Sequence, residues 1–317
     1  MGNTFYFAWE PALMAFLQQF TGPVLVKIVS AITLCGEEMV MLGVTGFLYW
    51  CYDKDFAKFV GTGMILGVVW NPLLKNVALR RRPYFDCAGV KCLKPVDASA
   101  DIYDITVQGY SFPSGHSTNS FVVYGGSALK YRLDHGKSSK LLNTLVIILT
   151  VLIGFSRVVL GVHYPTDVLC GWLLGALILD LITYAEKKIK KRWAFHLALF
   201  LVSLPGFFFC KTTDYYTGIG MMIGFFLALP FEERFVNFKG TKKLLKCILR
   251  LAGGFVLYFG LNSVLKMPFP KDLLASPTLP SFLIRTVRYA IVVFVLIALY
   301  PMIFDKIGAK KNEHDKV

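Results

Sequence analysis

The sequence predicts an all-α protein, a polytopic bundle of transmembrane helices. The chain is 55% hydrophobic and only 17% charged, and its mean hydropathy is +0.56, well above that of soluble domains. Apolar runs long enough to cross about 30 Å of hydrocarbon recur along the whole sequence. Because lipid offers the backbone no hydrogen-bond partners, and because these runs suit helices better than barrel strands, each is expected to be a helix.

Nine segments are expected to span the membrane, in chain order 37–53, 55–79, 115–132, 139–158, 164–185, 193–210, 215–231, 243–265 and 283–304. Pro83 favours an end to the second span, and Pro113 with Ser114 favours the start of the third. The stretch 11–36 is also apolar, but two glutamines, a Gly-Pro pair and Lys27 interrupt it. It is expected to form a broken interfacial helix rather than a tenth span.

The net charge of +14 comes largely from short connectors such as EKKIKKR (186–192) and KGTKKLLK (239–246). Alternating the nine spans puts most of these connectors on one side, which the positive-inside tendency makes cytoplasmic. The loops 80–114, 159–163 and 266–282 then lie on the other side. This distribution indicates membrane topology, and no nucleic-acid partner is expected.

The first polar cluster is KNVALRRRP, where Lys75 and Arg82 stand seven positions apart near the end of an apolar helix. Seven residues are about two helical turns, so the two cations are expected to share a helix face, roughly 10 Å apart along the axis. Cations at the membrane interface are also a sufficient explanation of RRRP alone. Arg80 and Arg81 are interpreted as spare cations without a direct role.

The second cluster is SFPSGHST, residues 111–118. Ser114 suits an N-cap, and Gly115 lets a ligand approach the first amides of the helix, which carry partial positive charge. His116 lies in that first turn. Ordinary capping explains the serine and the proline but not the glycine and the histidine together.

The third cluster is SRVVLGVHYPTD, in which Arg157 ends one span and His163 precedes the next. Asp167 follows His163 by four residues, a spacing that lets a carboxylate orient an imidazole across the first turn of a helix started by proline. A lone histidine at a span boundary is usually interfacial, but the pair with Asp167 favours chemistry.

All three clusters are expected at helix mouths on the non-cytoplasmic side. Three cations, a helix N-terminus and two histidines suit phosphoryl transfer without a metal: they supply charge neutralisation, a nucleophile and a proton donor. The five histidines show none of the usual metal-ligand spacings, so no metal and no cofactor are expected.

These residues resemble the three-part signature of the type 2 phosphatidic acid phosphatase superfamily. The match consists of Lys75 with six residues before Arg82-Pro83, then Pro113-Ser114-Gly115-His116, then Ser156-Arg157 with five residues before His163 and three more before Asp167. No position of the signature is missing. The resemblance covers roughly residues 37–185 and implies a six-helix-type phosphatase core.

The resemblance also implies residue roles. His163 would be the nucleophile that forms a phosphohistidine, Asp167 would hold its tautomer, and His116 would act as general acid and then as base. The phosphate oxygens would be bound by five residues, namely Lys75, Arg82, Ser114, Gly115 and Arg157.

Residues 1–185 are therefore expected to be the phosphatase core with its N-terminal interfacial helix, and 186–317 to be four additional helices of unknown role. The expected function is metal-independent hydrolysis of a lipid phosphate monoester or diphosphate on the extracytoplasmic side. Hydrolysis of a soluble sugar phosphate, as in the glucose-6-phosphatases of the superfamily, phosphotransfer from the same site, and lipid binding or scrambling without catalysis remain alternatives. Details such as YSFPSGHS are similar to bacterial members, which implies a bacterial plasma membrane.

The expected partners are the lipid phosphate substrate and the surrounding membrane lipids, and a homodimer is compatible with the sequence. Four cations in or beside the last predicted connector are expected on the outer side, namely Lys266, Lys271, Arg285 and Arg288. Their side chains suit either snorkelling at the membrane interface or attraction of anionic headgroups. Cys87 and Cys92 share a loop and suit a disulfide or two free thiols.

Overall fold

The computed structural model describes residues 2–304, and this part of the chain is helical. Within it, the only β-type pairing is an isolated bridge between Asn3 and Arg80. The predicted all-α transmembrane fold is confirmed. The helices, labelled in chain order, are α1 (Trp9–Gln19), α2 (Pro23–Leu34), α3 (Glu38–Phe47), α4 (Lys54–Ala78), α5 (Pro83–Asp86), α6 (Ile105–Gln108), α7 (Gly115–Ser120), α8 (Gly126–His135), α9 (Lys140–Val159), α10 (Pro165–Lys188), α11 (Arg192–Ser203), α12 (Thr213–Phe231), α13 (Leu244–Val264), α14 (Lys271–Ala275) and α15 (Leu279–Phe294).

Helical structure covers most of each of the nine predicted spans, but fewer helices have the length and hydropathy of a span. Among residues 2–304, five do so: Lys54–Ala78, Lys140–Val159, Pro165–Lys188, Leu244–Val264 and Leu279–Ile303. The first predicted span, 37–53, is not among them. It consists of the ten-residue helix α3 followed by a five-residue π-helical turn, Leu48–Tyr52. The count of nine therefore remains a prediction.

The apolar N-terminal stretch is broken into α1 and α2, as expected. The break falls at residues 20–22, and Pro23 occupies the first turn of α2, where its missing N–H costs no helical hydrogen bond. The interfacial position of these two helices remains a prediction.

The chain divides into two compact units whose segments alternate along the sequence. The first unit contains residues 2–42, 59–188 and 205–212, and the second contains residues 43–58, 189–204 and 213–304. The linear boundary expected near residue 185 remains a prediction.

In the first unit, apolar side chains enclose the segment that leads from α9 into α10. Two buried groups pack there, the first being Met14, Cys87, Val90, Val158, Tyr164 and Val168, and the second Val29, Tyr84, Val159, Leu160 and Val162. Because these residues lie on both sides of His163 in sequence, the packing holds that histidine in one place.

In the second unit, α12 and α15 pack closely along their length. Gly220 of α12 lies against the backbone of Thr286 so tightly that a Cβ there would collide with the Thr286 carbonyl. The ring of Tyr216 stacks on that of Phe282 with centroids 4.2 Å apart. These contacts therefore fix the rotation of α15 about its own axis relative to α12.

Candidate active site

The PSGH stretch forms a buried helix N-terminus. α7 begins at Gly115, and Oγ of Ser114 accepts hydrogen bonds from the backbone N–H of Ser117 at 3.4 Å and from the Ser117 hydroxyl at 2.9 Å. The predicted capping by Ser114 is confirmed. Because this oxygen accepts both bonds, the hydroxyl proton of Ser114 remains available for a ligand.

Two neighbouring helices hold this N-terminus. Nδ2 of Asn71, on α4, donates to the carbonyl of Pro113 at 3.2 Å. Gly171, on α10, comes so close that a Cβ there would lie 2.7 Å from the carbonyl oxygen of Ser114. The backbone N–H of Ser114 donates to the carbonyl of Asp167 at 2.9 Å, which joins the second predicted cluster to the third.

The first cluster is shaped by residues near the start of the chain. α4 ends just before Leu79, which has a φ of 53°. The backbone N–H of Asn3 donates to the carbonyl of Leu79 at 2.7 Å, and Arg81 donates back to Asn3 at 3.0 Å. The prediction that Lys75 and Arg82 share a helix face is therefore wrong, because this pairing with Asn3 replaces helical hydrogen bonds before Arg82.

Arg82 reaches the site from an extended backbone. Its guanidinium is buried and donates from Nε to the carbonyls of Gln108 and Gly109, at 2.9 and 3.1 Å, and from Nη1 to that of Val162 at 2.8 Å. Nη1 also lies 3.4 Å from Nε2 of His163. The structure thus brings the first cluster into contact with the third.

His163 lies in the short connection between α9 and α10 and is 2% exposed. Gly161, two residues earlier, has a φ of 77°, and a Cβ there would collide with the carbonyl of Lys91. Only glycine suits this turn. The backbone N–H of His163 then donates to the carbonyl of Arg157 at 3.3 Å, which ties the histidine to the last turn of α9.

The pKa of His163 is lowered well below the usual 6.5. Burial is the largest cause, because it disfavours the charged imidazolium. Nearby positive charge adds to the effect, and it comes from Arg82, Arg157, Lys75 and His116. His163 is therefore neutral at neutral pH, and these four predicted site residues lie within electrostatic range of it.

Asp167 stands beside His163 as the spacing predicts. Its Oδ2 lies 3.5 Å from Nδ1 of His163 and accepts a 2.8 Å hydrogen bond from the backbone N–H of Tyr164. The imidazole contact is longer than a good hydrogen bond, and Nδ1 has no other hydrogen-bond partner within residues 2–304.

Arg80 and Glu10 complete a buried charge network around Asp167. Arg80 is 2% exposed and donates to Oδ1 of Asp167 at 2.7 Å and to Oε2 of Glu10 at 2.9 Å. Oε1 of Glu10 accepts bonds from the amide and hydroxyl of Thr166 at 3.0 and 2.6 Å. Arg80 is thus not a spare cation, whereas Arg81 is a partly exposed partner of Asp86.

Arg157 contacts the last turn of α2, and His116 contacts the chain just after that helix. Nη1 of Arg157 donates to Oγ1 of Thr33 at 2.8 Å, in a fully buried contact. The backbone at Gly36 lies against His116, since a Cβ on Gly36 would be 2.9 Å from the imidazole Cδ2. The segment 33–37 therefore lies beside two predicted site residues.

The sequence analysis did not identify Glu10, Thr33 or Gly36 as residues near the site. Glu10 is a single acidic residue in an apolar stretch, and such a residue often has a functional role. Among residues 2–304, no group of three or more His, Cys, Asp or Glu side chains is placed to hold a metal ion. All seven cysteines are free thiols in this structure, Cys87 and Cys92 included.

The fold and the site define a polytopic helical membrane protein whose cationic clusters meet around a buried histidine. Comparison with family models gives two matches, the PAP2 superfamily over residues 56–191 and the PAP2 superfamily phosphatase transmembrane extension over residues 216–312. The chain belongs to the PAP2 superfamily, as the resemblance of its motifs predicts.

Similar curated proteins are membrane lipid phosphatases. Phosphatidylglycerophosphatase B of Bacillus subtilis is 42% identical over 85 residues, which are 26% of this chain and 42% of the relative. Undecaprenyl-diphosphatase of Sulfolobus acidocaldarius is 30% identical over 159 residues, 49% of this chain and 69% of the relative. The chain thus spans less than half of the first relative and about two thirds of the second.

A lipid A 1-phosphatase of Rhizobium etli is 29% identical over 141 residues, 41% of this chain and 53% of the relative. Among solved structures, the crystal structure of a transmembrane PAP2-type phosphatidylglycerolphosphate phosphatase from Bacillus subtilis matches with 28% identity and a TM-score of 0.42. The match covers 57% of this chain and 86% of that one.

Proposed function

We propose that this protein is an integral membrane phosphatase that hydrolyses a lipid phosphate monoester or diphosphate through a phosphohistidine at His163, without a metal ion. The contact that carries the proposal is the 3.4 Å approach of Arg82 Nη1 to His163 Nε2. A cation beside a neutral, buried imidazole places charge compensation at the atom that would attack phosphorus.

The proposed reaction has two displacements. Nε2 of His163 attacks phosphorus, the bond from phosphorus to the leaving oxygen breaks, and His116 gives that oxygen a proton. Water then attacks the phosphohistidine, His116 takes a proton from it, and the phosphorus–nitrogen bond breaks to release inorganic phosphate. Asp167 would accept from Nδ1–H of His163 and stabilise the charge that develops on the ring.

Five residues would bind the phosphate oxygens, namely Lys75, Arg82, Ser114, Gly115 and Arg157. Support for this set is geometric and electrostatic. Arg82, Lys75 and Arg157 all act on the pKa of His163, and the free hydroxyl proton of Ser114 suits an anionic acceptor.

The relatives favour a lipid substrate over a soluble sugar phosphate, because they are a phosphatidylglycerophosphatase, an undecaprenyl-diphosphatase and a lipid A 1-phosphatase. We place the site on the extracytoplasmic side of a bacterial plasma membrane. The loops that carry its residues alternate along the chain with the basic connectors, and the positive-inside tendency makes those connectors cytoplasmic.

Phosphate release from purified protein tests the proposal, with EDTA present and a panel of phosphatidic acid, sphingosine phosphate, undecaprenyl diphosphate and glucose 6-phosphate. Turnover of lipid substrates only is expected. His163→Ala should abolish it, while His135→Ala, which changes an exposed histidine at the end of α8, should not. Label from a substrate phosphate should be trapped on His163 after alkaline quenching.

Other results would decide for the alternatives. Turnover of glucose 6-phosphate alone would indicate a sugar phosphatase, and a new phosphorylated product with an added alcohol would indicate a transferase. Full activity in His163→Ala would reject His163 as the nucleophile, and the absence of release from every substrate would favour a lipid-binding or scrambling role.

A further inference from the structure

A buried arginine in the second unit has no counter-ion among residues 2–304. Arg288 belongs to the candidate span Leu279–Ile303 and is 4% exposed. No carboxylate among the described residues lies within ion-pair distance of it, and its Nε has no hydrogen-bond partner there. A side chain that snorkels into lipid or headgroups would be exposed, so Arg288 is instead enclosed by protein. The guanidinium of Arg288 lies over the ring of Tyr289, 5.2 Å from its centroid. A buried charge that has no acid beside it is nonetheless costly and marks a functional site by default.

Two further cations accompany Arg288. Arg285 lies one turn earlier on α15, with Nη1 3.5 Å from Oγ1 of Thr217. Lys266 is exposed just beyond the end of α13, and its pKa is lowered by partial burial and by the charges of Arg288 and Arg285. Asp214 acts electrostatically on Arg285 but lies outside ion-pair distance. The three cations therefore act electrostatically on one another, and within residues 2–304 none of them forms an ion pair with an acid.

The α15 face that carries the two arginines is fixed in place. Thr286, between them in sequence, donates from Oγ1 to the carbonyl of Tyr216 on α12 at 3.2 Å. The stacking of Tyr216 on Phe282 and the backbone contact at Gly220 hold the same pair of helices. Rotation of α15 to release Arg288 would break all three contacts, so the cationic group is preformed.

We propose that Lys266, Arg285 and Arg288 bind the phosphate group of an anionic membrane lipid. Guanidinium groups hold phosphate oxygens with paired N–H donors, and an ammonium adds a third positive charge. Lys266 lies two residues beyond the end of α13, a helix of membrane-spanning length, which sets this lysine near the depth of lipid headgroups. None of the three is a nucleophile, so this is a binding site and goes beyond the proposed hydrolysis.

The test is thermal unfolding of the full chain in neutral detergent, with phosphatidylglycerol or phosphatidylcholine added. A ligand that binds only the folded state raises Tm, and the phosphodiester of phosphatidylglycerol is not the monoester expected at the active site. Phosphatidylglycerol should raise the Tm of the wild type, and phosphatidylcholine should not. Arg288→Gln should remove the shift by weakening binding at least about tenfold, and Arg285→Gln and Lys266→Gln should reduce it.

The matched control is Lys271→Gln, an exposed lysine on α14 in the same connecting segment, which should keep the full shift. Arg288→Gln removes a buried charge that has no acid partner, so the Tm of this variant without lipid should equal or exceed that of the wild type. This comparison distinguishes loss of the lipid-binding site from a failure to fold. An unchanged lipid shift in Arg288→Gln would overturn the proposal, and so would an equal shift from inorganic phosphate, because the occupant would then be a soluble anion. Phosphate release is measured in parallel, so failure of the proposed function would appear separately.

Discussion

Arg80 donates a 2.7 Å hydrogen bond to Oδ1 of Asp167, while the other oxygen of the same carboxylate lies 3.5 Å from Nδ1 of His163. The arginine thus fixes the acid that stands beside the proposed nucleophile. Glu10 binds the second terminal nitrogen of Arg80 at 2.9 Å, so a residue near the start of the chain supports the position of Asp167.

Arg80→Gln should be strongly destabilising, because it leaves two buried carboxylates without their cation. We expect a loss of about 3–5 kcal/mol in the free energy of unfolding, together with a lower kcat. Arg81→Gln is the matched control, since Arg81 is partly exposed and should cost no more than about 1 kcal/mol. Denaturant unfolding and phosphate release measure the two effects, and equal losses in both variants would contradict the prediction.

The partial variant Glu10→Gln keeps the shape of the network and removes one charge. If Glu10 acts by positioning Asp167, kcat should fall while KM changes little, and Glu10→Asp should recover part of the rate. A change in thermal stability with an unaltered kcat would show instead that Glu10 supports the fold alone.

Thr33→Val should impair phosphate binding through Arg157. The substitution keeps the side-chain shape and removes the oxygen that accepts from Arg157 Nη1 at 2.8 Å. A hydrogen bond to a charged group contributes about 1.5–3 kcal/mol, so kcat/KM should fall about 10- to 100-fold. Thr183→Val, which removes a hydroxyl that donates to the Leu179 carbonyl within α10, should have little effect on kcat/KM.

Gly36→Ala should displace His116, because the new methyl group would lie 2.9 Å from the imidazole Cδ2 and also 2.7 Å from Cγ2 of Ile153. A shift of about 1 Å in a reacting group can reduce the rate about 100-fold. Gly22→Ala is the matched control, since no atom lies within 4 Å of a Cβ at that position. Equal kcat/KM values for the two variants would show that the imidazole adjusts without loss.

The acid limb of the pH profile, where kcat/KM falls as the pH is lowered, should lie well below pH 6.5. The lowered pKa of His163 means that the imidazole of the free enzyme stays neutral down to that range, and the nucleophile is lost only as pH falls through its folded pKa. Arg82→Gln removes one of the charges that lower this pKa and should move the acid limb to higher pH. An acid limb at or above pH 6.5 in the wild type would contradict the assignment.

Local patterns in the sequence predicted the all-helical fold and several of the contacts between candidate site residues. Apolar runs determine which segments are helical in lipid, and the Ser114 cap and the Pro165 start of α10 follow from short-range preferences of the backbone. The spacing of His163 and Asp167 likewise predicted their proximity, because four residues span one helical turn.

Tertiary structure alone decided how those residues meet. Lys75 and Arg82 do not share a helix face, because backbone pairing with Asn3 ends α4 before Arg82. Asn3 is more than 70 residues away in sequence, so no local pattern could predict this pairing. Glu10, Thr33 and Arg80 acquire their contacts in the same way, through packing between segments separated by long stretches of chain. The sequence by itself determined which side chains carry charge and where helices begin, whereas the contacts that hold Arg80, Asp167 and His163 together depend on long-range packing.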